Sequence, residues 1–119
     1  MIKRLKVPIY DHAYWVYIKG MDGGVKPPVK LRDAIEDADK MLDGDCQGVV
    51  ITIKDDEYML CLPVIGGTLI DYVAMAHECN HLTFFILADR GVEIYDGGDN
   101  EAFCYLQSFI MSQVIKACS

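Results

Sequence analysis

Apolar and polar residues alternate in blocks that mark out a series of short elements. AYWVYIKG, residues 13–20, is aromatic and β-branched and predicts a strand. MDGGVKPP follows as a loop, because Gly23 and Gly24 permit unusual dihedrals while Pro27 and Pro28 cannot continue regular pairing. VKLRDAIEDADKMLD, residues 29–43, places Leu31, Ala34, Ile35, Ala38, Met41 and Leu42 on one helical stripe, with the acids opposite. GVVITIKDDEYMLCLPVI predicts two strands joined in a hairpin near Asp55 and Asp56, and Pro63 fits only near a strand end or on a sheet edge.

Gly66 and Gly67 break the second of these strands, and Thr68, with Asp71 three residues on, offers an acidic variant of the capping box. A helix is expected from about Leu69 to about Asp89, stopped by Gly91. VEIYDGGDN predicts a short extended piece and a turn. Asp99 or Asn100 can then cap a last helix, EAFCYLQSFIMSQVIKA, with Lys116 suited to its negative end. The elements predict an α+β domain in which a small, mainly antiparallel sheet packs against two late helices. The expectation is one domain over residues 1–119, near the commonest domain size.

Charge narrows the function. The net charge of -7 argues against a general nucleic-acid binder, which needs a basic surface for the phosphate backbone. Residues 1–30 carry six Lys/Arg against two Asp, net +4, and residues 31–119 carry five Lys/Arg against sixteen Asp/Glu, net -11. The basic start could contact the acidic remainder or a separate partner. Five cysteines without a CxxC pair read as reduced thiols in a cytoplasmic protein. Asp11 and His12 interrupt any signal-peptide core. No stretch approaches the roughly eighteen apolar residues of a membrane span. The expected partner is a peptide or protein, with no nucleic acid and no membrane.

The chemistry concentrates in MAHECNHLTFF, residues 75–85, where three polar groups interrupt an apolar run. HECNH fits H-E-x-x-H in the interior of a predicted helix, the context this motif requires. Residues four apart project from one helical face, so His77 and His81 can hold one Zn²⁺, with Glu78 set about 100° round the helix and placed to hold a water. A catalytic zinc usually takes three protein ligands. The third must be His12, a carboxylate or a cysteine, and Glu101 is the best candidate. It opens the next helix twenty residues after His81, where two antiparallel helices would bring its first turn back alongside.

HECNH followed by NEAFCY resembles the gluzincin branch of zinc metallopeptidases, in which an Asn-Glu pair on a following helix supplies the third ligand. AHECNH, GVEI and NEAFCYLQSFI together resemble short uncharacterised HExxH proteins of tailed bacteriophages, over about residues 68–112. The resemblance implies a minimal zincin-like domain with His77, His81 and Glu101 as zinc ligands. It also implies Glu78 as general base in peptide-bond hydrolysis through a zinc-bound water, in a host bacterial cytoplasm. One position departs from it: gluzincins often carry an acid four residues after the ligand glutamate, and here Tyr105 stands there, a weaker acceptor for a ligand histidine.

Tyr105, Tyr95 and His12 are candidate transition-state donors, Tyr105 first because it shares a helical face with Glu101. Cys79 should point into the core, and Cys104 could close the metal site as a fourth protein ligand. A peptide substrate would lie along an exposed strand edge. The strand ending at Cys61–Pro63, just before the metal helix, is the expected edge. The alternatives to a metallopeptidase are a zinc-stabilised interaction module that binds a host protein, and an α+β domain without metal.

Overall fold

The computed structural model describes residues 1–64, 69–94 and 100–119. These build strands β1 (Ile2–Val7), β2 (His12–Lys19), β3 (Val49–Lys54) and β4 (Glu57–Pro63), and helices α1 (Arg32–Asp43), α2 (Leu69–Asp89) and α3 (Glu101–Ala117). Short 3-10 turns at Pro8–Tyr10 and Val29–Leu31 complete the described elements. The four-stranded sheet has the order β1-β2-β4-β3. Its outer pairings, β1 with β2 and β3 with β4, are antiparallel, and the central one, β2 with β4, is parallel. The fold is α+β with a mostly antiparallel sheet.

The sheet is covered on both faces, which explains the unbroken apolar runs of its two central strands. Tyr14, Val16 and Ile18 of β2, with Tyr58, Leu60 and Leu62 of β4, pack under α2 and α3 against Met75, Cys79, Leu82, Ile86, Leu106, Ile110 and Val114. The alternate residues Trp15, Met59 and Cys61 face Leu31 and Ala38 at the start and middle of the α1 side. β4 is buried from Tyr58 through Leu62. It is therefore an interior strand, and the expected substrate edge at Cys61–Pro63 is corrected: β3 is the sheet edge on that side. Pro63 is tolerated because it is the last residue of its strand.

β1 carries no sequence signal comparable to β2. Only Ile2 and Val7 of IKRLKV are buried, and its lysines and arginine lie on the opposite edge of the sheet, where charge discourages pairing with other chains. Gly24 secures this edge. It bridges Ile2 with φ +82, and a Cβ on it would stand 1.9 Å from the Ile2 carbonyl oxygen. Val25 N–H donates to that same oxygen at 2.8 Å.

α2 ends as its sequence predicts. Gly91 adopts φ +68, its N–H donates to Ala88 O at 3.1 Å, and Val92 N–H returns to Leu87 O at 2.9 Å. Asn100 occupies the N-cap position of α3 without a side-chain capping bond. The expected cap at Thr68, the break at Gly66 and Gly67, and the Asp99 alternative lie outside the described residues.

Candidate metal centre and its groove

α2 presents Met75, Cys79, Leu82 and Ile86 to the core, one residue per turn along a single face. Cys79 is buried there, as its apolar reading predicts, and Thr83 satisfies its own hydroxyl by donating to Cys79 O at 2.7 Å. With the core face fixed, the helical period turns His77 and His81 to the solvent side and Glu78 toward the sheet.

The two imidazoles meet edge to face, with centroids 4.8 Å apart and planes at 80°. Their Nε2 atoms stand 3.1 Å apart. Two nitrogens bound to one tetrahedral zinc at about 2.0–2.1 Å would lie roughly 3.3 Å apart, so the observed separation suits a single shared ion. The same distance also serves an N–H···N hydrogen bond between neutral rings.

One ligand atom from each of His77, Glu78 and His81 falls within a common 4.8 Å limit, forming a candidate metal-binding group. Glu78 is 6% exposed and makes no hydrogen bond among the described residues. Burial pushes its carboxyl above the ordinary range, partly offset by positive charge on His77 and His81. Among the described residues no side-chain oxygen is both buried and unpaired. The Glu78 carboxylate, which accepts no hydrogen bond from them, therefore opens onto solvent beside two imidazole nitrogens at metal spacing, where a cation or its water would meet it.

Gly48, at the entry to β3, closes the far side. A Cβ there would meet Glu78 Cγ at 2.7 Å and Leu62 Cδ2 at 3.0 Å. Asp45, Cys46, Gln47 and Gly48 on one side, and Val73, Ala74, His77 and Glu78 on the other, enclose a groove of about 370 Å³. Its first wall directly precedes β3 in the chain, the outermost strand of the sheet on that side. Nothing in the HECNH motif announces this wall, which lies some thirty residues upstream.

The other candidate residues are placed as follows. Glu101 opens α3 and is exposed. Phe103, two residues on, packs against Phe84 of α2 with centroids 4.7 Å apart and planes tilted at 48°, which sets the first turn of α3 beside α2 just beyond His81. Glu101 is not one of the three tightly grouped residues. Cys104 is exposed. Tyr105 is 74% exposed and lines a separate apolar groove with Pro8, Ile9, Tyr10, Leu106 and Phe109, rather than the one holding His77 and Glu78. Tyr95 lies outside the described residues.

His12 is engaged elsewhere: Ala13 N–H donates to its Nδ1 at 2.8 Å, and its Nε2–H donates to Asp89 at 3.0 Å, at the C-terminal end of α2. Tyr58 O–H donates to the same carboxylate at 2.7 Å, and its ring stacks on His12 with centroids 5.9 Å apart. His12, Asp89 and exposed Asp56 form a second close group of potential ligand atoms, but Asp89 already accepts from two buried neighbours.

The basic start is partly absorbed by the acidic remainder: Lys19 pairs with Asp43, and Lys30 with Glu57 at 2.9 Å. Among the described residues, no helix is long and apolar enough to cross a membrane. All five cysteines are free thiols. Comparison with family models, curated proteins and solved structures found no match in any of the three.

Proposed function

We propose that this protein is a zinc-dependent peptidase. The observation that carries the reading is the His77–His81 Nε2 separation of 3.1 Å, with Glu78 in the same close group and lining the groove alongside. His77 and His81 would hold the ion through Nε2, and Glu101, brought beside α2 by the Phe84–Phe103 contact, is proposed as the third ligand. Zinc, when bound, would supply a Lewis acid that lowers the pKa of a water toward neutrality and polarises a carbonyl.

Glu78 is the general base in this reading. Its carboxylate takes a proton from the attacking water and delivers it to the leaving amine. Burial favours this task, because a carboxyl raised from its ordinary value holds the proton more readily in transit. The extended substrate would lie along the free edge of β3, whose entry residues line the groove beside Glu78. Five unpaired thiols favour a reducing compartment such as the cytoplasm, and the phage resemblance would place that in an infected bacterium.

One observation favours a second reading, a zinc-stabilised interaction module. Ile9 and Tyr105 are 82% and 74% exposed on one apolar groove, and Tyr105 is absent from the groove of the candidate centre. The deciding experiment compares wild type with Glu78→Gln, each carrying one zinc, on a denatured-protein substrate and a peptide library. Hydrolysis by wild type and loss of about a hundredfold or more in the variant is expected for a general base. Equal rates, or no cleavage by either, would leave the interaction module.

A further inference from the structure

The groove beside His77 and Glu78 has a chemical character of its own. Two carboxylates line it: Asp45 is exposed and makes no ion pair or hydrogen bond among the described residues, and Glu78 is 6% exposed, with no side-chain oxygen both buried and unpaired. No lysine or arginine lines it. Its helical wall, Val73 and Ala74, is apolar, and Gly48 opposite contributes no side chain.

We propose that this groove is a subsite for a lysine or arginine side chain of a peptide ligand, with Asp45 as its specificity-determining residue. The methylene stem lies along Val73 and Ala74, and the charged head remains at the wet rim against the Asp45 carboxylate. The head group is directed to Asp45 rather than Glu78 because Asp45 is exposed, where an ammonium or guanidinium keeps part of its water, whereas Glu78 is only 6% exposed. A glutamate side chain meets two carboxylates and is rejected. An uncharged chain of the same length gains the apolar wall but leaves Asp45 unmatched. The inference rests on the peptidase reading for what happens to the bound peptide, whereas side-chain recognition belongs to the groove.

An exposed carboxylate–ammonium contact contributes modestly, so the expected preference for lysine over norleucine is about three- to fivefold, shrinking as salt rises. The test titrates the acetylated, amidated peptides Gly-Gly-Lys-Gly-Gly, Gly-Gly-Nle-Gly-Gly and Gly-Gly-Glu-Gly-Gly into ¹⁵N-labelled protein carrying zinc. The lysine peptide should move the amides of Asp45, Gly48 and Ala74 and bind more tightly than the norleucine peptide, and the glutamate peptide should bind least. Asp45→Asn should equalise lysine and norleucine, and Asp45→Lys should turn the order toward glutamate.

Equal or tighter binding of norleucine, shifts elsewhere on the surface, or no shift with any probe would overturn the proposal. Hydrolysis is scored separately on the same peptides. A lysine preference without cleavage removes the peptidase reading alone, and cleavage indifferent to lysine and to Asp45→Asn removes the subsite alone.

Discussion

Gly48 passes so close to Glu78 that a Cβ on it would lie 2.7 Å from Glu78 Cγ. Gly48 is not among the residues with positive φ, so space rather than backbone freedom requires the glycine. The second atom in the way, Leu62 Cδ2, belongs to a side chain 1% exposed and has little room to yield. Alanine at 48 is therefore expected to displace Glu78 and to cost about 1–3 kcal/mol by overpacking. In a Glu78→Ala background the first obstruction is gone and much of that cost should disappear. Urea melts of the two single variants and the double variant measure the coupling. Additive losses would mean that this contact does not hold Glu78 in place.

Metal binding should appear as stability. If His77 and His81 share one zinc, protein purified without chelator should contain about one zinc per chain. Its melting temperature should fall on chelation and recover on adding zinc. At a free concentration a thousandfold above Kd the gain is about 4 kcal/mol. His77→Ala and His81→Ala should melt like the chelated wild type, with or without zinc. Identical melts in all conditions would remove both the metal and the hydrolase reading. Glu101→Gln tests the third ligand: loss of a ligand should weaken zinc at least about tenfold, as outer-shell losses already do. An unchanged Kd would exclude Glu101.

The cysteines should divide into distinct classes. Cys46 and Cys104 are exposed, Cys118 is half-buried, and Cys61 and Cys79 are buried. Burial, with Glu78 nearby, pushes the Cys79 thiol up to about 12, and Cys61 rises through burial first, then the charges of Glu78 and Asp39. At about pH 8 an alkylating reagent should modify Cys46 and Cys104 quickly, Cys118 more slowly, and Cys61 and Cys79 only after unfolding.

The linkage has a definite sign. The folded chain keeps these two protons while an unfolded chain releases them from about pH 8.5, so stability is intact below that pH and is lost as pH rises toward the folded values. Tyr14, Tyr17 and Tyr58, all raised first by burial, add in the same direction from about pH 10. A urea midpoint that stays flat from about pH 9 to 11 would contradict the burial of these groups.

What could be read in the sequence was local. HECNH, the stripe from Leu31 to Leu42 and the Gly91 stop depend on spacing within or next to one element. HECNH lies within α2 and Gly91 ends it, while Leu31, Ala34, Ile35, Ala38 and Leu42 face the core and Met41, 43% exposed, does not. Sheet order is non-local. The run YMLCL carries apolar residues at every position, a cue for burial on both faces, yet its nearness in sequence to the metal helix suggested an edge. β1 went unrecognised because its cations suit an edge and only its end residues enter the core. Tyr105 does share a helical face with Glu101. The packing of Leu106, Ile110 and Val114 rolls α3 so that Tyr105 meets Pro8–Tyr10 instead of the histidines. Asp45 and Gly48 approach Glu78 only through the pairing of β3 with β4, which no local spacing encodes.

The three histidines should behave in two opposite ways. Asp89 accepts hydrogen bonds from His12 at 3.0 Å and from Tyr58 at 2.7 Å, tying the C-terminal end of α2 to the first residues of β2 and β4. Both donors belong to residues no more than 7% exposed. Removing the acceptor strands them, at about 1–3 kcal/mol for each buried group left unpaired. Asp89→Ala should therefore lower stability by about 2–5 kcal/mol, and Tyr58→Phe, which removes one donor and keeps the ring, by roughly 1–2 kcal/mol. Neither change touches the exposed His77–His81 pair, so zinc affinity of the folded protein should stay within about threefold of wild type. His77→Ala should do the reverse, leaving the metal-free protein within about 0.5 kcal/mol of wild type, because an exposed side chain supports little of the core, while abolishing zinc binding. The comparison is made by isothermal titration with zinc beside urea melts in chelator. If His12→Ala lost zinc as completely as His77→Ala, His12 would have to leave Asp89 and enter the ligand set, and the division between a structural and a metal-binding histidine would collapse.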